Sequence, residues 1–176
     1  MKKIQIGSWA VLALALLSSC TYRGLNSDSS TNGQQTGENT FSSDITDEEK
    51  ELLAQVSSGD FTKIANYSVG DLNAKFEVRK SSVLTDVVYR ADVSENVPGG
   101  SVNFDIYIAV DAEEFVINNY AFDGALTTHG QDDAFKDDAL NLIGTSGEGT
   151  AIAGSIITSD AIISACQAAI SQAKIE

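Results

Sequence analysis

The stretch VNFDIYIAVD, residues 102–111, carries the most regular hydrophobic pattern in the chain. Every second position is apolar: Val102, Phe104, Ile106, Ile108 and Val110. The positions between them include the polar residues Asn103 and Asp105. Strict alternation of this kind is typical of a β-strand with one face on the core. We therefore expect Phe104, Ile106 and Ile108 to be buried together and Asp105 to face solvent.

The segments on either side of this strand predict an antiparallel meander. Upstream, apolar residues at 76–78 and 83–89 indicate two strands joined through Lys80-Ser81-Ser82, and Pro98-Gly99-Gly100 forms a turn. Downstream, residues 111–114 predict a hairpin turn, and residues 115–122 predict a further strand, followed by a loop at 124–133.

Three helices are predicted around the sheet. The first begins after Thr46, which with Glu49 forms a capping box. The second covers residues 133–143, where Phe135, Ala139 and Leu142 recur at helical spacing before Gly144. The fold class is therefore α+β, with an antiparallel sheet meander packed against helices.

The C-terminal helix is predicted from GTAIAGSIITSDAIISACQAAISQA, residues 149–173. A loop of small residues around Gly154 and Ser155 leads into it, and Thr158 or Ser159 is suited to be its N-cap. Its apolar face consists of Ile162, Cys166, Ala169, Ile170 and Ala173. A Gly/Ser loop before a helix N-terminus serves either for packing or as a seat for a phosphate.

The N-terminal region predicts export and lipid anchoring. Residues 1–19 have a basic start and a short apolar core, as bacterial signal peptides do, and Leu17-Ser18-Ser19-Cys20 matches the lipobox of lipoproteins. Residues 20–45 therefore comprise the acylated Cys20 and a flexible polar tether, and residues 46–176 the domain. The protein is expected to be exported and attached through Cys20 to the bilayer of the bacterial cell membrane or outer membrane; the alternative is a simple secretory signal.

Composition excludes several function classes. The formal net charge is −14, which disfavours binding to nucleic acids or to anionic lipid headgroups. If Cys20 is acylated, Cys166 is the remaining cysteine, and with the single histidine, His129, it cannot supply a structural metal site. His129 is interpreted as a solvated loop residue. No acid–base dyad, nucleophile elbow or phosphate loop predicts a catalytic site.

Two segments together resemble the FMN-binding domain family: FDIYIAVDAEEFVINNYAFDG, residues 104–124, and AGSIITSDAIISACQAAISQA, residues 153–173. This family includes domains of the Rnf electron-transport complex and the sodium-pumping quinone reductase, and small bacterial lipoproteins. The resemblance implies FMN-binding roles for Gly154, Ser155, Thr158 and Ser159. In the family a threonine bonds covalently to the flavin phosphate; here that position is Ile156, and Thr150 and Ala153 also depart from the signature.

With Ile156 at the acceptor position, the resemblance implies a membrane-anchored lipoprotein that holds FMN non-covalently or through another hydroxyl such as that of Ser155 or Thr158. It would exchange electrons with membrane redox proteins of the cell envelope. In that role it would be at most an electron-transfer flavoprotein component. The alternative is a cofactor-free relative that uses the same fold as an envelope binding or structural module.

Overall fold

The structure is a computed structural model that describes residues 38–135 and 138–176. The predicted signal peptide, Cys20 and most of the predicted tether lie outside the described residues. Within the described part, no helix is both long enough and apolar enough to cross a membrane.

One six-stranded sheet forms the centre of the domain, with its strands in the order of the sequence. The first two strands are parallel and all later neighbours are antiparallel. The α+β class with a mostly antiparallel sheet is therefore confirmed. The strands are β1 (Thr40–Phe41), β2 (Asp60–Lys63), β3 (Leu72–Lys80), β4 (Val83–Val97), β5 (Gly100–Asp111) and β6 (Ile117–Ala125).

Two helices of the described residues cover the sheet. The first, α1 (Asp47–Val56), has the predicted capping box: Glu49 donates its N–H to the Thr46 hydroxyl at 3.2 Å, and Thr46 donates its N–H to the Glu49 carboxylate at 2.9 Å. The second, α2 (Ile156–Ala173), follows the Gly/Ser loop as predicted and buries Ile162, Cys166, Ala169 and Ile170.

Both faces of the sheet are buried, which the alternation in β5 does not reveal. Phe104, Ile106 and Ile108 pack in the core beneath α2, as predicted. On the opposite face Tyr107 and Ala109 are buried in a second core, to which α1 contributes Leu53 and Val56. Asp105 lies on this second face but is only half-buried, so the prediction that it faces solvent is correct only in part.

The domain begins before residue 46. Thr40 and Phe41 pair with β2, the ring of Phe41 stacks on Phe61 at 5.0 Å between centroids, and Ile45 is buried. The last residues assigned to the tether therefore belong to the packed domain. Strands β1 and β2 are both absent from the prediction, because their short polar sequences show neither alternation nor a continuous apolar run.

The predicted helix over residues 133–143 is wrong. A single 3-10 turn, Asp132–Phe135, occupies its start; Ala139 is exposed and Leu140 is buried instead. The Asp138 carboxylate accepts the N–H groups of Leu142 and Ile143 at 2.7 and 3.3 Å. Such side-chain bonds to nearby backbone compete with helix hydrogen bonding, and Asp138 and Asn141 both have positive φ.

The last strand also begins later than predicted. Phe115 has a φ of 54° and closes the turn after β5, so β6 starts at Ile117 and continues to Ala125, past the predicted end at Phe122. Its pairing with β5 shifts between Ala109 and Val110, which is a β-bulge.

Replacing Ile106 with aspartate tests the burial of the β5 face that packs beneath α2. Ile106 is fully buried beneath α2, and an isolated buried carboxylate has no partner there, so we expect Ile106→Asp to lower the free energy of unfolding by about 3 kcal/mol or more. Denaturant unfolding measures this change. Val83→Asp, at a strand position that is 64% exposed, is the control and should change stability little; equal effects of the two substitutions would contradict the assignment.

Candidate functional site

Helix α2 begins at Ile156 with Ser155 as its N-cap, and the Ser155 side chain makes no capping bond. The predicted N-caps Thr158 and Ser159 are therefore wrong: both lie inside the first turn. The N–H of Ser159 donates to the Ser155 carbonyl at 3.0 Å, the first bond of the helix. The N–H groups of residues 156–158 precede that bond, so helix geometry gives them no carbonyl within the helix.

The side chains of Thr158 and Ser159 are buried and hydrogen-bonded within the protein. Thr158 Oγ1 donates to the Leu126 carbonyl at 3.2 Å, which ties the first turn of α2 to the end of β6. Ser159 Oγ donates to the Ser155 carbonyl at 2.8 Å and accepts the Ile152 N–H at 3.0 Å. Both hydroxyls bond to backbone groups of the protein itself and hold the loop in place.

Gly154 and Ser155 form the exposed part of the same loop. Gly154 has a φ of 86°, in the region that favours glycine, and a side chain there would meet no neighbouring atom. Ser155 is half-exposed, and its N–H closes the turn by donating to the Ile152 carbonyl at 3.0 Å. The turn therefore leaves the N-terminal end of α2 open on the side of Gly154.

A cleft of about 570 Å³ opens beside this helix end. Three segments form its walls: the start of α2 with Ile156 and Ile157, the β4–β5 turn with Pro98, and the segment after β6. That third segment brings Thr128 and His129 into the cleft wall. Gly154, Ser155 and Thr158 line the cleft as well, whereas Ser159 does not line it.

Thr128 is a wall residue that sequence reasoning missed, whereas His129, interpreted as a solvated loop residue, is exposed as expected and also lies in the cleft wall. The Thr128 hydroxyl donates to the Pro98 carbonyl at 3.4 Å, and a side chain at Gly99 would come within 3.4 Å of His129 Nε2. The predicted meander could have indicated that this segment lies next to the β4–β5 turn. In three consecutive antiparallel strands, the turn before the middle strand and the end of the last strand lie at the same end of the sheet.

The cleft is electrically favourable to an anion although the protein is acidic. No aspartate or glutamate of the described residues lines it, and the first turn of α2 carries no acid. Free N–H groups and the helix dipole give the start of α2 a partial positive charge. An anionic group would therefore meet donors at this end of the cleft. The Asp132 carboxylate does not line the cleft, but it bonds to two wall residues by accepting the N–H groups of Leu126 and Thr127.

A row of three aspartates crosses the sheet elsewhere. Asp92, Asp105 and Asp123 are directly opposite one another on β4, β5 and β6. Arg90 contacts two of them, Asp92 at 3.4 Å and Asp105 at 3.6 Å. Burial and the neighbouring Asp92 carboxylate raise the pKa of Asp105 to about 6. Within the described residues, no group of three histidine, cysteine or acidic side chains is arranged to hold a metal ion.

Cys166 offers no reactive thiol. It lies on the buried face of α2, and burial raises the pKa of its thiol to about 12. A neutral, inaccessible thiol is a poor nucleophile, so Cys166 contributes to packing.

No family model matches this sequence, and the comparison with curated proteins gives no match. The likeness to the FMN-binding domain family therefore depends on the residues quoted for it.

The raised pKa of Asp105 predicts a pH-dependent stability. Folded Asp105 binds its proton more tightly than in the unfolded chain, where the pKa is 3.8, so its contribution to stability is lost as the pH rises through about 6. We expect Asp105→Asn to be more stable than the parent at pH 7, with the advantage shrinking towards pH 4. Thermal unfolding across this range measures it. Asp71→Asn, an exposed carboxylate outside the row, controls for removing one negative charge; a difference between Asp105→Asn and the parent that does not vary with pH would contradict the prediction.

Proposed function

We propose that this protein is an exported lipoprotein that binds FMN non-covalently and takes part in flavin-dependent electron transfer at the cell envelope. The observation that carries the proposal is the cleft at the start of α2, which combines free backbone N–H groups, apolar walls and an absence of acidic side chains among the described residues. Its position agrees with the segment that resembles the flavin site of the FMN-binding domain family.

The residues around the cleft are suited to the two chemically different parts of FMN. The phosphate would bind the N–H groups of residues 156–158 next to Gly154 and Ser155. The flat, largely apolar ring system would contact Val97, Leu126 and the two isoleucines, and the cleft volume lies in the range usual for cofactor sites. Bound FMN supplies the electron-transfer chemistry, while the protein supplies position and electrostatics.

The distribution of hydroxyl groups favours non-covalent binding. Ile156 offers no oxygen at the position where the family forms its phosphoester. The Thr158 hydroxyl is buried and donates to Leu126, so it is not free to react. Of the four predicted site residues, Gly154 and Ser155 remain for contact with the phosphate, with the backbone of Ile156 and Ile157 beside them.

A second candidate function is the cofactor-free envelope module. The observation that favours it is the loss of ligand-directed hydroxyls: Ile156 has none, and those of Thr158 and Ser159 bond to the protein itself. The two candidates differ in whether the cleft takes up FMN, which a direct titration decides.

We expect FMN to bind the mature full-length protein and to be released intact on denaturation. Fluorescence titration measures the affinity, and Ile157→Glu should weaken it by about tenfold or more because a carboxylate beside the helix N–H groups repels the phosphate. The same carboxylate favours the helix itself, so the fold should be preserved. Ile175→Glu, at an exposed isoleucine just past the C-terminal end of α2, is the matched control and should bind like the parent.

Two results would refute this prediction. Equal affinity for FMN and for riboflavin, which lacks the phosphate, would remove the role of the helix N-terminus. An intact mass that includes covalently attached flavin after co-expression with a flavin transferase would show that another hydroxyl serves as acceptor. If neither FMN nor riboflavin binds, the cofactor-free module is the better description.

Lipid attachment through Cys20 is tested separately. Cys20→Ala removes the thiol that is acylated, so we expect the protein to lose its membrane association or to remain as an unprocessed precursor. Fractionation and the mass of the N-terminal peptide measure both outcomes, with Cys166→Ala as the control for loss of a cysteine. Normal maturation and membrane retention of Cys20→Ala would contradict the assignment of residues 1–19 as a lipoprotein signal.

A further inference from the structure

Strand β6 lies at the edge of the sheet and pairs only with β5 among the described strands. The N–H of Tyr120 donates to the side chain of Asn119 at 2.9 Å, so the backbone of Tyr120 points away from β5. Backbone groups alternate in direction along a strand, and those of Phe122 and Gly124 therefore point to the open edge as well.

This edge is covered at its two ends and open between them. At the start, Ile117 exchanges two backbone hydrogen bonds with residues 144 and 145, at 2.8 and 2.9 Å. At the other end, the Asp132 carboxylate accepts the N–H of Leu126 at 2.9 Å. Within the described chain, no group bonds to the outward backbone of Phe122 or Gly124. Unpaired edge groups of this kind are the template for adding a strand.

A groove of about 690 Å³ follows the open edge. Gln55 of α1 borders it on one face of the sheet, and Phe135 and Ile143 border it on the other. Tyr120 and Phe122 are half-buried along its floor, and Ile143 is 44% exposed. A strand placed in this groove would continue the sheet between two existing walls.

Among the described residues, the charged side chains that line the groove are Asp132 and Asp138. Both carboxylates accept backbone N–H groups, but neither forms a salt bridge with any described cation. Their charges therefore favour a cationic occupant.

We propose that the open edge of β6 binds an extended, lysine- or arginine-bearing segment of a partner polypeptide, which adds as a seventh strand. Main-chain hydrogen bonds to the carbonyl of Tyr120 and to the N–H and carbonyl groups of Phe122 and Gly124 would supply most of the affinity. Alternate side chains of the segment would face the apolar side of the groove, at Phe135 and Ile143, or the polar side, at Gln55. This surface meets the cleft at the start of α2 at Leu126, but the outward backbone of Phe122 and Gly124 lies outside the cleft, so strand addition does not require flavin.

The test uses the mature full-length protein and the peptide acetyl-Lys-Val-Thr-Val-Thr-Lys-amide at millimolar concentration, where backbone pairing tolerates differences in side chains. Backbone NMR shifts should change at residues 120–124 and not at residues 154–158. Two further peptides carry N-methyl groups at alternate residues, one on the even and one on the odd positions. Because only one set of N–H groups can face β6, one methylated peptide should lose binding and the other should keep it.

Equal binding of the two methylated peptides, or no shift change at residues 120–124 with the parent peptide, would overturn the proposal. Concentration-dependent dimerisation that perturbs residues 120–124 without any peptide would also overturn it, since a second copy would then be the occupant. A protein variant gives an independent check: Phe122→Pro removes the outward N–H and should abolish peptide binding, whereas Phe122→Ala keeps that donor and should retain it.

Discussion

The hydrogen bond from the Thr158 hydroxyl to the Leu126 carbonyl is the contact on which the candidate site depends. It is buried, and it joins the first turn of α2 to the point where β6 leaves the sheet. Without it, the start of the helix and the segment carrying Thr128 and His129 would have no direct polar link. Loss of one partner from a buried hydrogen bond costs about 1–3 kcal/mol, so the link is also a local source of stability.

The sheet itself is stabilised from both sides, and this explains its charge pattern. Because α1 and α2 cover opposite faces, polar residues in β5 cannot simply alternate into solvent. Asp105 is consequently half-buried beside Arg90, and Asp86 is buried and accepts bonds from Ser57 and Asn118. Buried carboxylates persist where such donors replace water. Some of the acidic residues therefore lie in the interior of the domain and not on its solvated surface.

Sequence reasoning was most successful where one local rule decides the outcome. The capping box at Thr46 and the joint burial of Phe104, Ile106 and Ile108 follow from local or periodic patterns, and both are confirmed. It failed where contacts of the folded chain decide the outcome. Phe41 belongs to a strand through its pairing with Phe61, and the region of Asp138 is a turn in which the carboxylate accepts a backbone N–H. For the site, the quoted loop indicated Gly154 and Ser155, but the inward direction of Ser159 depends on the fold of the preceding loop.

The two isoleucines at the start of α2 indicate which kind of ligand fits the cleft. Ile156 and Ile157 are 59% and 41% exposed at a helix end where polar or acidic residues are favoured. Neither the helix nor the core gains from leaving them in water, since each Å² of apolar surface that is removed from water contributes about 25 cal/mol. They lie beside the free N–H groups, so a ligand with an anionic end and an apolar body would satisfy both features at once. A free phosphate would satisfy only the N–H groups, and a lipid tail only the isoleucines.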